Sequence, residues 1–391
     1  MSAIFKYDQR GVSADKHEVH AAIEHLDKGL YHHTFCKILP DIVGGNRDFC
    51  NLMHADTAGT KPSLAYVYWR ETGDMSVWAG IVQDALVMNL DDMACSGCVN
   101  DIVINSTIGR NKHLVGGEVI AALVKGATDF IEKMRRLGIQ IIHSGGETAD
   151  VGDIVRTIDV GFTAFARMPR NKIIVNDIQN GDVVVGFASY GQASYETEYN
   201  SGMGSNGLTS ARHDVFGQQY AAKYPESFDP KTDKELVYAG SKSLTETLRI
   251  GDEDITLGKL VLSPTRTFLP VIREILRDYR ADIHGMIHNT GGGQTKVIKF
   301  LNRQRVVKNN LFDVPPLFQL IQAESNTDWH EMYQVFNMGN RLEIYTSAEK
   351  AQAMIDIANN FGIEARVIGY VEAAETNSVE VQTPLGHFSY Q

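Results

Sequence analysis

Two short stretches of this chain concentrate groups that could hold a nucleotide and its metal. Asp56-Thr57-Ala58-Gly59-Thr60-Lys61 sets a carboxylate beside hydroxyls, a glycine and a lysine, all suited to phosphate oxygens. Ile141-Ile142-His143-Ser144-Gly145-Gly146-Glu147-Thr148-Ala149-Asp150 breaks an apolar run at two glycines and passes to two carboxylates. Carboxylates are hard ligands for Mg²⁺, and glycine lets backbone approach a ligand closely. Neither stretch has the G-x-x-x-x-G-K-[ST] order of a P-loop, so an ATP site built from them belongs to another architecture. Asp101 follows Val99-Asn100 and precedes the apolar Ile102-Val103-Ile104, which places it at the mouth of a strand. Asp56, Asp101 and Glu147 make sense together as a Mg²⁺ cluster, with Asp91 or Asp92 as a further member, because gathered carboxylates ionise cheaply only around a cation. Taken singly, each reads as a helix cap or a polar turn.

The second half carries two more glycine-bearing polar turns, Ser205-Asn206-Gly207-Leu208-Thr209-Ser210 and Thr290-Gly291-Gly292-Gly293. Three consecutive glycines expose several backbone N–H groups, and a helix starting after them adds its dipole, which makes an anion pocket. His284 and His288 lack a third zinc ligand; they read as strand or loop histidines near a phosphate, or as core histidines.

Elements must bring these turns together. Strands are expected at Phe49 to His54, Leu64 to Arg70, Ile102 to Ile104 and Ile158 to Ala166, and an extended run over Gly138 to Ile142 leads into a Gly-Gly-Glu turn. Helices are expected at Ile81 to Ala94, which delivers Asp91 and Asp92, and at Gly117 to Leu137. Turn signals over Val175 to Asp182 mark a junction, giving domains 1–178 and 179–391. Beyond it, strands at Val183 to Ala188, Ile283 to Thr290, Arg341 to Tyr345 and Ala365 to Val371 alternate with helices at Val271 to Tyr279, from Thr295, and at Ala348 to Asn360. The class is α/β (α+β). Ser189 to Ser205, rich in Ser, Tyr, Glu and Gly, reads as a long loop, either functional or a plain surface insertion.

A chain of 391 residues exceeds what one core usually holds, in keeping with two domains. A formal net charge of −11 argues against nucleic acid as a partner. No apolar run is long enough for a bilayer, and the N-terminus lacks the order of a signal peptide, so a cytoplasmic enzyme without membrane attachment is expected. The four cysteines include one close pair, Cys95 and Cys98, and read as buried small apolar residues rather than metal or redox groups.

The ordered set Asp56 to Lys61, Cys98-Val99-Asn100-Asp101, Gly145 to Ala149, Gly204-Ser205-Asn206-Gly207, Pro264-Thr265-Arg266, His284 to Gly293 and Phe336-Asn337-Met338-Gly339 resembles the phosphoribosylformylglycinamidine cyclo-ligase (aminoimidazole ribonucleotide synthetase) family, from about Tyr7 through Gly369. The resemblance implies two α/β domains, with N-terminal sheets pairing across a homodimer. It also implies a purine-biosynthetic reaction in which ATP activates the formyl amide oxygen of formylglycinamidine ribonucleotide, the amidine nitrogen closes the ring, and phosphate leaves. ATP and Mg²⁺ are the cofactors so implied. Asp56, Asp101 and Glu147 would serve the metal. Gly59, Thr60, Lys61, Asn100, Gly145, Gly146, Thr148, Thr265, His288 and Gly291 to Gly293 would line the nucleotide and substrate cleft. Lys61, Asp101, Asn206 and Arg266 would act in catalysis.

Two departures stand out. The family's Asp-Gly-Val-Gly-Thr-Lys is Asp56-Thr57-Ala58-Gly59-Thr60-Lys61 here, and its Gly-x-His-Ser-Asn-Gly has Gly204 in the histidine's place, with Tyr195, Tyr199 or His213 as candidate substitutes. Other enzyme readings are a small-molecule kinase or selenophosphate synthetase of the same superfamily, although no cysteine precedes Cys36 to serve the latter. A non-catalytic nucleotide-binding relative is the reading from a different class.

Overall fold

The structure is a computed structural model that describes residues 5–13 and 17–391. Short helices α1 (Lys6–Gln9) and α2 (His17–Ile23) lead into a first sheet of β1 (Ile38–Pro40), β2 (Phe49–Thr57), β3 (Ile102–Arg110), β4 (Ile141–Asp150) and β5 (Ile158–Pro169). Its order is β1-β2-β5-β3-β4, antiparallel except for the β3–β4 pair, which the crossover helix α5 (Gly117–Arg136) joins. Helices α3 (Lys61–Thr72) and α4 (Val77–Cys95) complete this half.

Two expectations are corrected here. Leu64 to Arg70 is not a strand but the middle of α3, which starts with Pro62 in its first turn and stops at Gly73 in the left-handed conformation. Its aromatic and apolar residues are buried on nearly every side, which hides the helical period. The Gly-Gly-Glu segment is not a turn. It runs on as β4, an edge strand whose residues 144–150 are exposed.

Helix α4 is the centre of the molecule. It is almost wholly buried, packs on β2, β5, α3 and α5, and touches elements of the second half on another side. It ends in a Schellman arrangement, with Gly97 N donating to Ala94 O and Cys98 N to Met93 O.

The second half contains β6 (Val183–Ala188), a small pair β7 (Tyr190–Gly191) and β8 (Asn200–Ser201), α6 (Leu208–Val215), α7 (Gln219–Lys223), a hairpin of β9 (Thr247–Ile250) and β10 (Glu253–Thr256), α8 (Leu257–Val261) and α9 (Leu269–Tyr279). It continues with β11 (Ile283–His288), β12 (Gln304–Lys308), α10 (Pro316–Ser325), α11 (Trp329–Val335), β13 (Asn340–Thr346), α12 (Ala348–Asn360), β14 (Ala365–Ala373), β15 (Ser378–Thr383) and β16 (Gly386–Tyr390). The seven-stranded sheet has the order β11-β13-β6-β14-β12-β15-β16, in which only β12 and β15 are parallel. The helix expected from Thr295 is a 3₁₀ segment, Gly293–Phe300. No helix among the described residues is long and apolar enough to cross a membrane.

Candidate active site at the domain junction

The junction is built on polar residues that α4 buries. Asp84 Oδ1 accepts from Lys61 Nζ at 2.9 Å and from Thr265 N at 2.8 Å. Asp91 accepts from Thr267 Oγ1 at 2.6 Å and Phe268 N at 2.8 Å, so residues 265–268 of the second half are docked on the helix through two carboxylates. Burial nonetheless raises the Asp91 pKa above the ordinary carboxylate value. Asp92 lies 2.7 Å from His288 Nδ1 and 3.5 Å from His54 Nε2. Burial pushes the Asp92 carboxyl up, but the His288 bond and charge outweigh it, and its pKa falls below the ordinary value. Asn89 Nδ2 donates to Ala85 O at 2.9 Å and Phe162 O at 3.1 Å, which leaves Oδ1 to accept from His54 Nδ1 at 3.0 Å and fixes that proton on Nδ1. Asp91 and Asp92 are therefore junction residues rather than further members of a metal cluster.

Three turns meet above this junction. Residues 57–60 connect β2 to α3, with Gly59 N donating to Thr57 Oγ1 at 3.1 Å. Thr60 Oγ1 lies 2.8 Å from Thr209 Oγ1 in α6, which ties this turn to the one at 204–207. A Cβ placed on Gly59 would lie 3.9 Å from Ser205 O, and one on Gly291 would lie 3.8 Å from Asn206 Nδ2, so the triple-glycine turn joins the same lip. Gly293 has φ +49, and a Cβ there would come within 2.6 Å of the carbonyl oxygens of Phe336 and Tyr333. Only glycine lets that turn seat itself. Beneath it, Glu343 accepts from Asn289 Nδ2 at 2.7 Å and from Lys308, a buried ion pair that anchors the turn to the sheet.

The lip thus brings together Asp56, Gly59, Thr60, Asn206 and Gly291 to Gly293, with His288 just below. Sequence reasoning missed two neighbours, His54 and Lys296. Lys296 Nζ donates to Thr290 Oγ1 at 3.1 Å and stands 5.3 Å from the centre of the Phe35 ring. Its position three residues after a triple glycine was the available signal.

Other expected site residues are placed differently. Lys61 is fully buried and spends its three donors on Asp84, Gly204 O at 3.2 Å and Ser263 O at 2.5 Å, so it is a staple between the two halves and not a phosphate ligand. Burial lowers its pKa. Thr265 is buried against Asp84. Arg266, also fully buried, grips Glu196 through Nε at 3.0 Å and Nη2 at 2.5 Å and donates to Ala188 O and Tyr190 O through Nη1. It pins the 189–205 segment, which β7 and β8 close as a small hairpin, and it has no free face for catalysis. A cavity of about 470 Å³ lies beside this segment, lined by Gln83, Lys133, Glu196, Tyr199 and Lys259 and by none of the lip turns. Two of the three candidate substitutes for the missing histidine fare no better. Tyr195 donates to Thr267 O at 2.5 Å, and His213 is buried, accepts from Tyr238 N through Nδ1 and is held neutral by burial, with Arg212 and Arg10 adding to the effect.

The expected Mg²⁺ set does not fit within one chain. Register places Asp56 opposite Phe162, Phe162 opposite Ser106, and Ser106 opposite Gly146. Asp56 and Gly146 are therefore three strand spacings apart, about 14 Å. Ile102 pairs with Ala166 and Thr107 with Glu147, so Asp101 lies at the opposite end of β3 from Glu147, about 20 Å along the strand. No group of three or more Asp, Glu, His or Cys among the described residues is placed to hold a metal ion. Asn100 accepts from Gln140 N at 2.7 Å, Asp101 has φ +56, and Asp150 pairs with Arg110 at 2.8 Å. Gly145 to Thr148 stay exposed on the edge strand.

The chain is 28% identical over 337 residues to the phosphoribosylformylglycinamidine cyclo-ligase of Methanocaldococcus jannaschii, covering 85% of this chain and 82% of the relative. It is 27% identical over 336 residues to the protein of the same name from Caldicellulosiruptor saccharolyticus, covering 84% of each. A solved structure described as AaThiL complexed with AMPPCP and TMP shares the fold with a TM-score of 0.51 at 11% identity, over 96% of this chain and 95% of that one. Residues 41–168 match the AIR synthase related protein N-terminal domain and residues 179–382 match its C-terminal domain. By these two matches, which together span both halves of the fold, the chain belongs to the AIR synthase related protein family.

Proposed function

We propose that this protein is an ATP-dependent cyclo-ligase that converts formylglycinamidine ribonucleotide to aminoimidazole ribonucleotide, with release of ADP and phosphate. The observation that carries the reading is the convergence of three donor-rich turns, 57–60, 204–207 and 290–293, on one lip between the two halves. The relatives' shared name supports the same chemistry. In the reaction the γ-phosphoryl group moves to the formyl amide oxygen, the amidine nitrogen attacks that carbon, the carbon–oxygen bond breaks, and phosphate leaves while the nitrogen loses its proton. Such transfers depend on positioning and charge stabilisation. The lip offers backbone N–H groups of the glycine turns, the Thr60 hydroxyl, the Asn206 amide and the Lys296 ammonium for those tasks.

The division of labour we infer gives residues 1–178 ATP binding and dimer formation, and residues 179–391 the substrate side. A homodimer is supported by the exposed β4 edge and by Met53 and Ile142 on the first sheet, which are 62% and 51% exposed. Mg²⁺ enters the proposal only as the companion of ATP, since no carboxylates among the described residues of one chain assemble a cage for it. The test is ADP release and aminoimidazole product formation from purified protein with Mg²⁺-ATP, with and without formylglycinamidine ribonucleotide. Equal, substrate-dependent amounts of both establish the reaction. ATP binding with neither product turns the assignment toward the other superfamily substrates or a non-catalytic relative.

A further inference from the structure

Gly204 stands where the resemblance places a histidine, and the structure shows what occupies the vacated space. Gly204 has φ +68, and a Cβ there would lie 3.0 Å from Arg341 Nη1 and 3.7 Å from Thr265 Oγ1. Arg341 is only 1% exposed. Its Nη2 donates to Arg266 O, and its guanidinium lies 5.6 Å from the centre of the Phe268 ring. Nε and Nη1 have no hydrogen-bond partner among the described residues. The acids around it are committed elsewhere, Asp91 to Thr267 and Phe268, Glu196 to Arg266, and Asp84 Oδ1 to Lys61 and Thr265.

Unmade hydrogen bonds on a buried charge are costly, and native proteins rarely keep them without a ligand or water to complete them. Burial already draws the Arg341 pKa down to about 10. The open Nη1 lies against the 204–207 turn, which has no side chain at 204 and forms part of the lip. We propose that Arg341 is a phosphate-recognition residue, whose open Nη1 beside Gly204 donates to a phosphate oxygen in the place that the family gives to a histidine. The assignment rests on the ring-closure reading for its substrate, while its ligand chemistry, a phosphate oxyanion, stands on the geometry. A guanidinium suits this task because it keeps its charge when buried and presents N–H donors in fixed, planar directions to a phosphate oxygen. A competing account is an internal water that links Arg341 to Asp84 Oδ2, which also has no partner.

Arg341→Gln and Arg341→Lys, compared with the unmodified chain, decide between them. Inorganic phosphate is titrated calorimetrically, and turnover is followed with ATP and formylglycinamidine ribonucleotide, with folding checked by circular dichroism. Arg341→Gln is expected to weaken phosphate binding at least tenfold and to lower kcat/KM by about 100-fold. Arg341→Lys is expected to lose about tenfold, because an ammonium does not reproduce the fixed donor directions of the guanidinium. A loss in kcat identifies the phosphoryl group in transit as the ligand, and a rise in KM for the ribonucleotide alone identifies its ribose phosphate; both support the assignment. A folded Arg341→Gln protein that keeps phosphate affinity and kcat/KM within about twofold overturns it and leaves the water-linked account. If Arg341→Gln does not fold, Arg341→Lys is judged by the same criterion. Phosphate binding that depends on Arg341 in a chain without turnover would remove the ring-closure reading and leave the phosphate site standing.

Discussion

The lip at the domain junction and the open rim of the first sheet carry the same kinds of residue, carboxylates beside glycines, yet their surroundings differ. At the lip, turns from both halves touch one another, and the buried acids below them have partners from across the junction. At the rim, Gly145 to Thr148 lie on the edge strand β4 and Asp101 precedes β3 beside it, exposed and apart. A motif can work as a site where other chain segments close around it, and of these two regions only the lip is so enclosed.

The largest effect expected from breaking the comparison is at its buried base. Asp84→Ala leaves the Lys61 ammonium unpaired in the interior and should cost about 3–5 kcal/mol of stability, measured by urea unfolding; a loss below about 1 kcal/mol would show that Lys61 has another outlet. Arg266→Ala strands Glu196 and should cost about 3 kcal/mol while opening the 189–205 segment to limited proteolysis. Unchanged cleavage in that segment would remove Arg266 as its pin. Gly293→Ala forces a methyl onto two carbonyl oxygens and should cost about 1–3 kcal/mol, with turnover lost before the fold; full activity would detach the triple-glycine turn from the site.

Acid sharpens the same contrast. His213 has a folded pKa well below its ordinary value of 6.5, so the unfolded chain takes up its proton first as the pH drops. The stability contributed by neutral His213 is therefore complete above about pH 6.5 and is lost at about 1.4 kcal/mol per pH unit below it. Urea titrations from pH 7 to pH 5 should show that slope, and His213→Phe should flatten it; an equal slope in both proteins would assign the loss to other groups. The smallest change in stability belongs to the rim. Glu147→Gln should alter it by less than about 0.5 kcal/mol, so its kcat/KM reads function directly. A fall of tenfold or more would bring β4 into the site through a second copy of the chain, and an unchanged value would exclude it.

Much of the fold was legible in the residues. Helix α4, α5, α12 and the strands β3, β5, β6 and β11 follow from apolar period and turn signals close to where they lie. Leu64 to Arg70 misled because a helix buried all round loses its stripe, and Gly145-Gly146 misled because glycine is as compatible with an edge strand as with a turn. The glycine turns were legible as a candidate site because what they would offer a phosphate is local backbone. Lys61 and Arg266 were not, because whether a cation is free depends on a distant carboxylate, Asp84 and Glu196, that no local pattern reveals.

Helix α4 has one more consequence, for how the protein can be divided. Three of its carboxylates are satisfied wholly or partly by residues from the other half of the chain, so a fragment ending near residue 178 would leave Asp84, Asp91 and Asp92 without Thr265, Thr267, Phe268 and His288. The two halves are distinct sheets whose buried charges are satisfied across the junction, so they are expected not to fold apart. Expression of either alone should yield insoluble material, and the intact chain should melt in a single transition.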